Sequence, residues 1–332
     1  MMSSLPATDP TLPFVSVIIP TYNRKDSLLR TLDSLSRQTY PADRFEVIVV
    51  DDGGSDGTEA VVEQVFPVTL RSVRQENQGD AYARNRGAQE ARGTILQFLD
   101  DDIVVEPGFL AAVVEQYANR DKLMVIGTLL PLPSVSPTVF ERVVAAKHQP
   151  PATSDQLDFT QILSGILSLR KEHYLALGMM QPVVKSGSSV WCDVEFSYRA
   201  HKQGFELWRA ADALAYHDDY AVRSLSSACQ RARRMAAAGA GLFQKHPELK
   251  AHIAMFRDKG PIAWREDPPA LILRKLARQV ISSRPAMWAM EHAVPFLERH
   301  APGSQLLVLL YRWIISGYIY RGYREGLREL RK

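Results

Sequence analysis

The sequence is poor in cysteine and has no apolar run long enough to cross a membrane. Its 332 residues include two cysteines, Cys192 and Cys229, too few for a disulfide framework, so a reducing compartment is expected. The first dozen residues, MMSSLPATDPTL, lack the basic start and apolar centre of a signal peptide and read as a loose tail. Near the C-terminus the uninterrupted apolar run Leu306–Tyr311 falls far short of the roughly 20 residues that span a bilayer. Neither an internal repeat nor a low-complexity tract is visible. An apolar share of 46% and a charged share of 23% exclude intrinsic disorder, a collagen-like repeat and a coiled-coil rod as the main architecture. No nucleic-acid-binding module is recognisable, so nucleic acid is not an expected partner.

Acidic charge is also scarce in the last third. Residues 221–332 hold 8 Asp/Glu against 20 Lys/Arg, whereas residues 1–220 hold 29 against 20. An acidic front and a basic back suggest two tasks, a metal or ligand site and a contact with an anionic surface.

The front alternates strand and helix. Phe14–Pro20, Phe45–Val50, Val68–Val73 and Thr94–Leu99 are short, mostly apolar runs that suit buried parallel strands. Between them, Asp26–Ser36 lines up Leu28, Leu29, Leu32 and Leu35. A helix starts at Gly57 with Val61, Val62 and Val65 toward the core, and Asp80–Ala91 is a helix of small residues. This order predicts a mostly parallel sheet with right-handed crossovers. Further on, a helix after Pro107, a strand at 123–130, a Pro/Ser-rich connection at 131–158 with a helix at 139–147, and a strand at Gly165–Arg170 are expected. A helix at 171–177, another at Asp193–Gln203, and strands at Phe205–Arg209 and Leu214–His217 follow. From residue 222 the pattern is helical, with segments at 222–245, 270–281, 286–298 and 304–330.

Three strand ends carry the chemistry. Asp100, Asp101 and Asp102 follow the strand TILQFL. Ligands of parallel α/β sheets bind at such carboxyl ends. Three adjacent carboxylates repel unless a cation or hydrogen bonds compensate, and Mg²⁺ or Mn²⁺ suits open carboxylate sites shared with phosphates. Asp51-Asp52-Gly53-Gly54-Ser55-Asp56-Gly57-Thr58 follows FEVIVV. Its carboxylates can accept hydrogen bonds from base or ribose donors, although a helix cap explains the segment equally well. Pro20-Thr21-Tyr22-Asn23-Arg24 closes the first strand, and its tyrosine can stack on a flat ring.

Taken together, VSVIIPTYNR, VIVVDDGGSDGT, NQGDAYARNRGAQEARG, ILQFLDDDIVVEPGFL, SGILSLRKEHYLALG and WCDVEFSYRAHKQGF resemble family 2 glycosyltransferases of the bacterial type over roughly residues 14–217. The resemblance implies a GT-A fold, a Rossmann-like, mostly parallel sheet flanked by helices. It also implies metal-dependent transfer of a sugar from a nucleotide-diphospho-sugar, most often a UDP-sugar, to an acceptor hydroxyl with inversion. Pro20, Tyr22, Asp51, Asp52, Arg84, Asn85, Asp100 and Asp101 match nucleotide-sugar positions. Asp102 and His217 match metal ligands for Mn²⁺ or Mg²⁺, and Asp193 matches the general base, with Glu195 second. Cys192 replaces a frequent acidic residue before that base, Gly54 a frequent serine, and Ile166 the usual asparagine of the acceptor loop.

The expected domains are a tail at 1–13, a catalytic domain at 14–220 and a basic helical extension at 221–332. The catalytic domain would divide near residue 105 into nucleotide and acceptor halves. The extension fits either an amphipathic membrane contact or a packed helix that forms a homodimer. Expected partners are the donor and a saccharide or lipid-linked acceptor in cell-surface polysaccharide or glycolipid assembly. The expected place is the cytoplasm, at the inner face of the plasma membrane. Two rival readings remain. One is a haloacid-dehalogenase-type phosphatase using Asp100 and Asp102, and the other is a non-catalytic sugar-nucleotide-binding protein.

Overall fold

A computed structural model of the chain describes residues 12–62, 68–134, 136–145, 150–183, 190–218 and 223–331. They divide into two units. The first is drawn from Met1–Leu132, Pro150–Pro182 and Cys192–Asp218, the second from Pro133–Gln149, Val183–Trp191 and Asp219–Lys332. The expected tail up to residue 11 and the side chains of Val61 and Val65 lie outside the described residues.

The apolar runs of the front become the strands of one sheet. They are β1 (Val15–Thr21), β2 (Phe45–Asp51), β3 (Thr69–Arg74) and β4 (Ile95–Phe98), with helices α1 (Lys25–Leu35), α2 (Thr58–Val62) and α3 (Asp80–Glu90) between them. All four strands are parallel, in the order β3-β2-β1-β4. Every side chain of β1 and β2 is buried, as expected where helices cover both faces of a parallel sheet. One of them is a carboxylate. Glu46 accepts hydrogen bonds from the Ser16 hydroxyl at 2.7 Å, Arg71 at 3.1 Å and the Arg92 N–H at 2.8 Å, which offset its desolvation. The small residues of α3 let it lie close to the sheet: a Cβ at Gly87 would sit 2.3 Å from Ile18 Cγ2.

The sheet continues as β8-β6-β9-β5. Its elements are β5 (Ile103–Val105), α4 (Phe109–Glu115), β6 (Leu123–Pro131), β7 (Asp155–Leu157), β8 (Leu167–Arg170), α6 (Lys171–Ala176), α7 (Cys192–Lys202) and β9 (Glu206–His217), with α5 (Val139–Ala145) assigned to the second unit. Here β8 runs antiparallel to β4 and to β6, and β5 and β7 run antiparallel to β9. The two short strands expected at 205–209 and 214–217 are one strand, whose pairing with β6 shifts register at Gly127/Thr128. Such an irregularity bends a strand without ending it.

The second unit holds α5 with α8 (Leu225–Lys245), α9 (Leu249–His252), α10 (Pro269–Ile281), α11 (Arg284–His300) and α12 (Gln305–Glu329). Serines start three of these helices. Ser224, Ser283 and Ser304 accept hydrogen bonds from the backbone N–H groups of Ser227, Ala286 and Leu307. Its interior contains Phe140, Cys229, Met287, Val294, Leu307, Leu310, Tyr311 and Ile314. The apolar run at the start of the terminal helix therefore contributes to a protein core.

Candidate functional site

Parallel pairing brings three loops to one edge. Thr21 is opposite Asp51 and Ile18 opposite Phe98, so the segments after β1, β2 and β4 emerge side by side. Tyr22 stands at this edge, 49% exposed, while Pro20 is buried inside β1.

The carboxylates behind Tyr22 are already engaged. Asp51 accepts from the Gly54 N–H at 2.7 Å and from Arg74 at 3.1 Å. Asp52 accepts from Gln75 Nε2 at 2.7 Å, the Gln78 N–H at 2.9 Å and the Gly79 N–H at 2.8 Å. It thereby holds the loop that leads into α3. From α3, Arg84 is buried and reaches Asp80 at 2.6 Å and Asp100 Oδ1 at 2.5 Å. A Cβ at Gly165 would lie 2.2 Å from Asp100 Oδ2, so a larger residue here would displace this carboxylate.

Asp101 and Asp102 share one cation from the first loop. Arg24 Nη1 donates to Asp101 Oδ1 at 3.0 Å and Asp102 Oδ2 at 2.7 Å, and the Thr21 hydroxyl donates to Asp101 Oδ2 at 2.7 Å. Burial outweighs these partners at Asp101 and pushes its pKa up to about 6. At Asp102 burial also opposes ionisation, but contact with His217, its charge and that of Arg24 outweigh it. This carboxyl is held below its ordinary range.

His217 reaches Asp102 through the antiparallel part of the sheet. It lies opposite Ile103 in the β5–β9 ladder, and the Asp218 N–H donates to the Asp102 carbonyl at 3.0 Å. His217 Nε2 is 3.1 Å from Asp102 Oδ1, a buried atom that accepts no aligned hydrogen bond. Adjacent ligands of an octahedral cation, each about 2.1 Å away, are about 3 Å apart. The separation, the lack of any other partner on this oxygen and the imidazole–carboxylate chemistry fit a divalent cation. Among the described residues, a grouping of three potential ligands occurs elsewhere, at Asp121, Glu172 and His173. There Arg170 already lies 3.6 Å from Asp121.

Asp193 stands in the first turn of α7 and accepts from the Val194 N–H at 2.8 Å and from the Ser164 N–H. Burial raises its pKa above the ordinary carboxylate range, although these N–H groups and the charge of Arg84 oppose the shift. Asp193 thus feels the charge of Arg84, and its partner Ser164 is next to Gly165. Two other candidates face elsewhere. Glu195 is buried against Arg199 at 3.0 Å, whose guanidinium binds the carbonyls of Leu177 and Met179. Asn85 joins the Tyr174 hydroxyl to both the N–H and the carbonyl of Met180. Both hold the turn after α6, and the structure does not bring them to the carboxylate cluster. Arg24, Thr21, Asp80 and Gly165 join this cluster, although sequence reasoning assigned none of them a role in it. The available signal was that Thr21 and Arg24 belong to the PTYNR motif.

The model of glycosyl transferase family 2 matches residues 16–141. The glycosyltransferase AglE of Haloferax volcanii is 44% identical over 96 residues, 28% of this chain and 31% of that protein. The validoxylamine A glucosyltransferase of Streptomyces hygroscopicus subsp. limoneus is 39% identical over 121 residues, 36% and 27% of the two chains. These matches span about 30% of the curated relatives' length. Among solved structures, the mannosyltransferase PcManGT from Pyrobaculum calidifontis, in complex with GDP-Man and Mn²⁺, aligns with a TM-score of 0.61 at 21% identity. The alignment covers 97% of this chain and 90% of that one. S. aureus TarS 1–349 in complex with UDP aligns with a TM-score of 0.50 at 19% identity, covering 94% and 92%. The fold is therefore the GT-A fold.

Proposed function

We propose that the chain, whose residues 16–141 match the model of glycosyl transferase family 2, transfers a sugar from a nucleoside-diphosphate donor to an acceptor hydroxyl, with inversion. The observation that carries this reading is the meeting of Asp102 with His217 at the strand edge, next to Asp100 on the buried Arg84, whose charge also acts on Asp193. Neighbours of the same fold bind GDP-Man with Mn²⁺, and UDP, which supports a donor of this class.

Tyr22 offers a ring for the base, and Asp51 and Asp52 set the adjacent loops. Arg84 fixes Asp100 where the ribose of the donor would lie. Asp102 Oδ1 and His217 Nε2 would hold Mn²⁺ or Mg²⁺, which when bound neutralises the diphosphate and stabilises the leaving group. Burial raises the basicity of the Asp193 carboxylate above that of an ordinary aspartate, which is the direction a general base needs. Asp193 would deprotonate the acceptor hydroxyl as that oxygen attacks the anomeric carbon. The acceptor is a saccharide or lipid-linked saccharide of surface polysaccharide or glycolipid assembly. The phosphatase reading gains no support from the geometry, because Asp100 Oδ1 is bound by the buried Arg84.

Product analysis with UDP-, GDP- and dTDP-sugars against an acceptor panel tests the proposal. Asp193→Asn should keep donor affinity and lose about 10²–10⁴-fold in transfer rate. Full turnover by this variant would remove Asp193 from the mechanism and the proposal with it.

A further inference from the structure

The second unit carries apolar side chains on its outside as well as in its core. Leu307, Leu310, Tyr311 and Ile314 of α12 point inward. The outward faces of α10, α11 and the first half of α12, three helices that pack on one another, are also apolar. On α10, Leu273, Leu276 and Val280 recur at helical spacing, with Leu273 and Val280 each 69% exposed. On α11, Trp288 and Phe296 are 62% and 63% exposed, and on α12 Leu306, Leu309 and Trp313 follow the same pattern. Side chains of this size grouped on the surface of one helical unit mark an interaction site.

The charge on these faces has one sign. Arg274, Arg284, Arg299 and Arg312 are exposed, and no Asp or Glu between residues 268 and 324 is. The two carboxylates of that stretch are turned to tyrosines. Glu298 accepts from the Tyr311 hydroxyl at 2.5 Å, and Glu291 accepts from Tyr318. A second copy of the chain seated on this surface would set arginines against arginines, which an isologous contact does not tolerate well. An anionic lipid surface matches both features: its interfacial layer takes Trp, Phe and Leu, and its phosphates take guanidinium groups. No helix of the described residues is long and apolar enough to cross a membrane, so the fitting geometry is in-plane.

We propose that α10, α11 and the first half of α12 seat the chain on an anionic bilayer. Leu273, Val280, Trp288, Phe296 and Trp313 would enter the interfacial layer, with Arg274, Arg284, Arg299 and Arg312 among the headgroups. This surface is independent of the transfer reading. It lies within the basic extension, where the apolar run of the terminal helix splits between core (Leu307, Leu310, Tyr311) and surface (Leu306, Leu309).

Flotation of the full chain with vesicles of phosphatidylcholine, alone or mixed with phosphatidylglycerol, tests it. The chain should float with the mixed vesicles, less so at high salt, and its tryptophan emission should shift to the blue. The double variant Trp288→Ser/Phe296→Ser should partition at least about tenfold more weakly while keeping its circular dichroism spectrum. Arg274→Gln/Arg299→Gln should weaken binding to the mixed vesicles and flatten its salt dependence. Failure to float with anionic vesicles, or unchanged flotation of Trp288→Ser/Phe296→Ser, would overturn the proposal. So would a concentration-dependent dimer in sedimentation that this variant abolishes, which would assign the face to a second copy.

Discussion

Replacing Gly165 by alanine tests whether the Asp100 carboxylate is fixed by its surroundings. The new Cβ would fall 2.2 Å from Asp100 Oδ2 and 2.6 Å from Cγ, whereas ordinary contacts begin at 3.4 Å. Something must retreat by roughly an ångström. The backbone cannot do so freely, because the Asp100 N–H donates to the Gly165 carbonyl at 3.0 Å. The carboxylate is the softer element, and its retreat strains the hydrogen bond from Arg84. Overpacking alone costs about 1–3 kcal/mol. Asp100 is partly exposed and Asp80 remains on Arg84, so the weakened ion pair adds little and we expect about 1–2 kcal/mol in total. Urea denaturation of Gly165→Ala beside Gly108→Ala gives the comparison, since a Cβ at Gly108 meets nothing within 4 Å. Donor affinity should fall in Gly165→Ala and stay unchanged in the control. A Gly165→Ala protein within about 0.5 kcal/mol of the parent, with unchanged donor affinity, would refute the reasoning.

Two further outcomes follow from the charges. Asp101, with its pKa pushed up to about 6 by burial, binds its proton more tightly folded than unfolded, where the value is about 3.9. Its contribution to stability therefore declines as pH rises from about 4 to about 6, by up to about 3 kcal/mol. Asp101→Asn should remove that decline, and parallel stability–pH curves for the two proteins would contradict it. Glu195→Ala should destabilise the fold by about 3–5 kcal/mol, because Arg199 loses its carboxylate. The folded fraction should still bind donor with parental affinity, and a selective loss of turnover at full stability would return Glu195 to the catalytic group.

Much of the edge that carries Tyr22, Asp51 and Asp100 is legible in the sequence because β1, β2 and β4 are apolar runs that end in polar loops. Parallel strands place such loops together without further information. The partnership of Asp102 with His217 depends instead on β5, three residues long and antiparallel to β9, a pairing that no local pattern marks. The same holds for Gly165 against Asp100, which arises where β8 follows β4 in reverse. Glu195 and Asn85 show the opposite limit. Both sit within motifs of the expected type, yet the rotation of α7 and α3 turns them toward the turn after α6. Helix facing is set by packing, which spacing alone does not fix. Arg24 sits within the PTYNR motif, but its bridge to Asp101 and Asp102 becomes visible only when the ends of β1 and β4 are side by side.

Donor binding, with and without Mn²⁺, in the parent and in Asp102→Asn is the most direct test of the central claim. Calorimetric titration with UDP- and GDP-sugars should show at least one donor whose affinity for the parent rises when Mn²⁺ is present. Asp102→Asn should lose most of that increment while remaining folded. Absence of binding by every nucleotide-sugar, or an Mn²⁺ increment that survives in Asp102→Asn, would contradict the account.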